Sequence, residues 1–290
     1  MLKPLPPGEI TVNPVDSHRA IAFRTRGYTQ GPVTRLMSPA DHGEILKPFV
    51  FLDLIDAKDL AHAGEQRMGL HPHSGIATLT WLFEGSVNYE DDLGRRGQID
   101  HDWMEWMHAG SGAWHGGGFG KSDRLRGFQL WVALPASSEL TQPYSRYVHP
   151  DSRSIEGPVT VLLGQYGQAK ANIESPSPIN YFSVKLKAGE TWRYQPPLGH
   201  EVAWAAVSVG SLLTPGLIEA GEMATFEEGE DAIEFLAVRD TEFVMGSATK
   251  HPYELVLGHY SVHTSPQTLL HGETRIQEIA NDLRQQGRLK

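Results

Sequence analysis

The 290-residue chain contains no cysteine, which excludes disulfides, thiolate metal sites and thiol nucleophiles. Any metal must therefore be held by nitrogen and oxygen. Runs of lysine or arginine are also missing. Its 25 cationic residues stand against 35 acidic ones for a net charge of −10, so no clustered basic face is present to neutralise phosphates. Nucleic acid is excluded as a direct ligand on that ground. No continuous apolar run is long enough to span a bilayer, and the opening MLKPLPPGEITVNP is broken by prolines. Neither a signal peptide nor a membrane anchor is expected, and a cytoplasmic setting follows. Helical periodicity is scarce: one C-terminal stretch carries it, with Thr274 and Gln277 at capping-box spacing, Ile276, Ile279, Ala280 and Leu283 on one face, and Gly287 as the stop.

What the chain has instead is β signal. Ile76–Phe83, Phe128–Leu134, Val159–Leu163, Tyr181–Leu186, Val202–Val209 and Ile233–Val238 are short runs of β-branched, aromatic and aliphatic residues separated by turn formers. Thirty glycines and 19 prolines suit many turns between short strands and point to sandwich or barrel architecture. A weak repeat sets FEGSV (83–87) against SVGSL (208–212), laying Gly85 on Gly210. Under it His71 and His73 fall on Pro196 and Leu198, so only the first half carries ligand-type side chains there. The expectation is an all-β protein of two antiparallel barrels with a C-terminal helix. The first domain is placed at residues 1–145 and the second at 146–290, with the boundary in the polar YSRYVHPDSRSIEGP.

The chemistry concentrates in HPHSGIATLTWLFEG. Alternation puts His71 and His73 on one face of a strand, a face predicted to continue through Gly75, Ala77, Leu79, Trp81 and Phe83, with Pro72 placing the strand at an edge. Two imidazoles so spaced can share a cation; the plainer reading is a pair of rim histidines. Trp81 is the pocket-lining candidate on that face, and Trp103, Trp106 and Trp114 read as aromatic walls or as barrel core. HGGGFGKS ends like a P-loop, but a strand rather than a helix follows it, so a phosphate cradle is rejected. No GxSxG accompanies the esterase-like HGGG, and its glycines read as places of close backbone approach. YEDDLGRRGQ reads as a hairpin turn rather than a calcium loop.

With MEWMHAGSGAWHGGGFG, FQLWVAL, LKPFVFLDLID and the late LVLGHYSVHT added in order, most of the chain resembles the pirin family. The resemblance implies a bicupin with one metal, usually iron, in the N-terminal barrel. Carried over, the ligands are His71, His73 and His115, the cofactor a divalent metal taken as Fe(II), and the fourth ligand a glutamate at the position held here by Gly117. A second family glutamate is absent at Ala77. Glu105 and His108 are candidate replacements. Two functions follow from the resemblance. One is a metal-dependent dioxygenase of quercetin-like flavonols; the other is a non-enzymatic regulatory protein that binds a protein partner and has a weakened or vacant metal site.

Overall fold

The computed structural model describes residues 19–60 and 67–290; the proline-broken stretch from which the absence of a signal peptide was inferred lies outside them. All six expected strands form, two with the bounds read from sequence (Val159–Leu163 and Val202–Val209). They build two β-barrels. The first seven-stranded sheet runs Tyr144–Val148, Met104–His108, Ile76–Glu84, Arg124–Ala133, Phe49–Lys58, Val33–Met37, Tyr28–Gln30. Its counterpart runs Ile21–Thr25, Met223–Phe226, Val202–Val209, Thr241–Ala248, Ile179–Leu186, Val159–Leu163, Ser154–Glu156. A four-stranded sheet closes each barrel: Arg67–His73, Ala113–Phe119, Ser86–Asp91, Arg96–Asp100 in the first, and Thr191–Tyr194, Ile233–Ala237, Ser211–Leu213, Leu217–Glu219 in the second. The halves match strand for strand, and the aligned turn glycines Gly85 and Gly210 share φ values of 84° and 86°. Ile21–Thr25 breaks the symmetry, because the first described strand pairs with Met223–Phe226 in the second sheet.

The seven-stranded sheets pack face to face. Leu79, Trp81 and Phe83 join Phe49, Phe128 and Leu130 in one core with Tyr181, Val202, Trp204 and Val244 of the other barrel. At their rim Arg126 pairs with Glu242 at 2.5 Å and donates to Ser208 at 3.0 Å. Trp81 is therefore an interface residue, which corrects its reading as a pocket wall, and Trp106 is buried in the same core. The reason lies at Gly75, whose φ of +71° turns the chain out of one sheet into another. The odd-numbered face after the turn is thus not the face of His71 and His73; Ile76, packed with Phe51 and Trp131, and Leu82, packed with Ile99, lie on the other side of the strand.

The C-terminal helix spans Pro266–Gln285, nine residues longer at its start than the Thr274 cap implies. Ser265 is the true cap, accepting from the Thr268 amide at 3.2 Å with Pro266 at the first helical position, and Thr274 instead returns a bond to the Leu270 carbonyl. The face read from sequence is the buried one, and Gly287 follows its end at φ +69°. Among the described residues no helix is long and apolar enough to cross a membrane.

Candidate metal centre

The Arg67–His73 strand forms the edge of its sheet, and Pro72 is tolerated there because an edge strand has one side without a ladder partner. Its neighbour Ala113–Phe119 runs antiparallel in a register that sets His115 opposite His71 and Ala113 opposite His73. Directly opposed residues share a face, and so do residues two apart on one strand; the ladder alone therefore gathers the three imidazoles. Their ring centroids lie 5.0 Å (71–73), 4.5 Å (71–115) and 5.0 Å (73–115) apart. One nitrogen from each lies within 4.8 Å of the others, and the group contains no carboxylate.

Each ring is prepared as a ligand. His71 Nδ1 donates to the Gly69 carbonyl at 3.0 Å and His73 Nδ1 donates to the Tyr260 carbonyl at 3.1 Å, so in both the proton sits on Nδ1 and Nε2 offers its lone pair. Nε2 of His73 and Nε2 of His115 are buried without a hydrogen-bond partner. Burial holds all three below the usual histidine pKa: His73 at about 3, His115 well below its ordinary value, and half-buried His71 in the same direction. Three neutral imidazoles within reach of one another, two of them with an orphaned nitrogen, fit a divalent cation, which would satisfy the unpaired atoms that the protein leaves. The cluster can hold such an ion. Trp131 lies edge-on to His73 at 4.7 Å and stacks on Phe51 at 4.0 Å, while the exposed Tyr260 ring stands 6.0 Å from both His71 and His73. Neither Trp131 nor Tyr260 was singled out by the sequence reading; Tyr260 lies 187 residues from His73 with no local signal joining them.

The two candidate replacement ligands stay away. His108 places Nε2 2.8 Å from Thr141 Oγ1 and stacks on Tyr144. Glu105 accepts from Thr80 Oγ1 at 3.2 Å. The family's fourth position fares no better, since a Cβ at Gly117 would stand 1.9 Å from the Asn88 carbonyl oxygen. The register slips between His115 and Gly117, and the neighbouring Ser86–Asp91 strand closes against the backbone there. Ala77 sits in the core between barrels, where a carboxylate would meet hydrocarbon.

Glu105 has a consequence of its own. Burial raises its carboxyl from an ordinary 4.5 to about 7, against hydrogen bonds from Thr80 and Tyr147 that favour the charged form. A raised carboxyl pKa adds stability that is complete below the unfolded value and is lost as pH rises through about 7. Glu105→Gln removes that dependence. It should leave thermal stability at pH 4 nearly unchanged and raise it at pH 8 by about 3 kcal/mol, read from melting curves at the two pH values. Equal shifts at both would show that the carboxyl titrates in the fold as it does in the unfolded chain.

Residues 31–132 match the family model described as Pirin. The chain carries a pirin domain. Beyond it, a Pseudomonas aeruginosa protein provisionally named a quercetin 2,3-dioxygenase is 28% identical over 226 residues, covering 74% of this chain and 79% of its own. The fold of a quercetin 2,3-dioxygenase from Acinetobacter baumannii superposes with a TM-score of 0.81 at 22% identity over 90% of this chain and 97% of that one. The bacterial pirin YhhW of Escherichia coli, solved with nickel(II), matches at a TM-score of 0.60 and 18% identity over 81% and 96%. These likenesses give the pirin domain its place in a bicupin fold.

Proposed function

We propose that this protein binds one divalent metal, ferrous iron in its working form, through His71, His73 and His115 and oxidises a flavonol-like aromatic with dioxygen. The observation that carries this reading is the set of three neutral imidazoles whose ligand nitrogens lie within 4.8 Å of one another, two of them, His73 and His115, with a buried and unpartnered Nε2. In domain terms, residues 1–145 supply the metal ligands and residues 146–290 the support. Quercetin is named for the P. aeruginosa and A. baumannii relatives, and that substrate class is extended to this chain as part of the proposal.

The chain's own contribution is positioning. Gly69 and Tyr260 fix two histidine tautomers through backbone carbonyls, and burial keeps the rings unprotonated at neutral pH. Trp131, locked by Phe51, walls the inner side beside His73. Tyr260, with its ring at the exposed side, borders the approach where a flat aromatic can stack. A bound ion supplies Lewis acidity and redox capacity for chemistry with dioxygen. Three imidazoles suit iron, nickel, zinc or copper, and without an anionic ligand they hold a hard ferrous ion less tightly than a set with a carboxylate would.

Protein purified without chelators should contain close to one equivalent of transition metal, measured by elemental analysis. Loaded with ferrous iron, it should consume oxygen when flavonols are added. A metal-loaded protein that takes up no oxygen with any flavonol would end the oxygenase assignment and leave the metal site standing.

A further inference from the structure

The segment after the second barrel returns to the first and grips the metal strands from outside. Tyr260 gives its carbonyl to His73, and Ser261 forms a bridge with Ser74, their hydroxyls 2.9 Å apart. His263 Nε2 lies 2.9 Å from the same Ser74 Oγ. On its other side His263 Nδ1 donates at 3.0 Å to Glu139, a carboxylate with no exposed surface in the loop after Arg124–Ala133. Glu139 also accepts from the Thr264 amide at 2.8 Å and from its hydroxyl at 2.5 Å. Farther on, the Ile276 carbonyl in the helix accepts from Trp114 Nε1 at 3.0 Å, beside His115. Neighbours of two of the three metal ligands are thus held by one segment.

Serine, histidine and glutamate in series resemble a hydrolytic relay, but Ser74 is wholly buried. A Cβ on Gly272 would come within 2.4 Å of its hydroxyl, so no substrate carbonyl can approach. The relay is a clasp. Its product is the placement of Tyr260, whose φ of +64° belongs to the left-handed region that non-glycine residues seldom occupy. A backbone held there by contacts on both sides is the mark of a position fixed for a purpose outside itself.

We infer that Tyr260 and the Glu139–His263–Ser74 clasp are positioning residues for the metal centre: the clasp pins the Tyr260 carbonyl, and that carbonyl holds the His73 ring with Nε2 turned into the site. This rests on the metal-binding reading above, and nickel(II) affinity of the full-length protein tests the two separately. Tyr260→Gly tolerates the left-handed backbone and keeps the carbonyl, so it should bind nickel like the wild type. Tyr260→Pro, restricted to φ near −65°, displaces the carbonyl and should weaken binding ~10–100-fold. Glu139→Gln attacks the clasp from its far end and should weaken it in the same direction, with cobalt(II) d–d spectra reporting altered ligand geometry in both. Circular dichroism and melting midpoints identify any variant that has lost its fold, in which case the other decides. Wild-type protein binding nickel through His73, with both folded variants matching it in affinity and cobalt spectrum, overturns the inference alone. Wild-type protein that takes up no nickel overturns it together with the metal reading.

Discussion

Replacing His73 with alanine should strip the chain of bound metal. Structural zinc sites with four donors bind with roughly 10–16 kcal/mol, on the order of 3 kcal/mol per donor, so losing one of three nitrogens weakens affinity about a hundredfold or more. His73 is the most informative of the three because it is 1% exposed and its Nε2 has no other partner. Elemental analysis of His73→Ala against wild type, with His108→Ala as a control, should show metal lost in the first and kept in the second. His108 already has its partner in Thr141 and lies outside the cluster. Metal retained at full stoichiometry in His73→Ala would place it elsewhere in the molecule.

Gly117→Glu, the substitution that writes the family's missing carboxylate back into the sequence, should damage the protein rather than complete the site. The Cβ alone would lie 1.9 Å from a backbone oxygen of Asn88, and neither strand can give way without opening the pairing of Gly117 with Tyr89. Overpacking of this kind costs about 3 kcal/mol or more, a fall of roughly 6 °C or more in melting midpoint, and Gly117→Ala should show most of it. Gly69→Ala, where nothing lies within 4 Å of the added carbon, is the matched control. Tighter metal binding with an unchanged midpoint in Gly117→Glu would mean that the strand has room this geometry denies.

The strands were legible because runs such as Val159–Leu163 and Val202–Val209 combine β-branched side chains with glycine turns at their ends. The histidine group was legible for a related reason: a two-residue spacing and an antiparallel partner suffice to collect three rings, and both leave marks in the sequence. The inward face was misread because alternation was carried across Gly75, where one positive φ angle moves the chain between sheets. The helix start was misplaced because Thr274 was read as its cap, whereas the Ser-Pro pair at 265 and 266 opens the helix. Tyr260, Glu139 and His263 had no local mark at all. Their roles depend on contacts across 124 to 189 residues, which neither periodicity nor motif spacing encodes.

The exchange of elements between the two barrels makes each depend on the other for its completion. Ile21–Thr25 completes the later sheet, while the stretch ending in the helix braces the earlier one. Neither half is a transplantable module: a recombination breakpoint between them would separate each barrel from a part it borrows. Either barrel taken alone would therefore lack a strand or a brace that the full chain gives it.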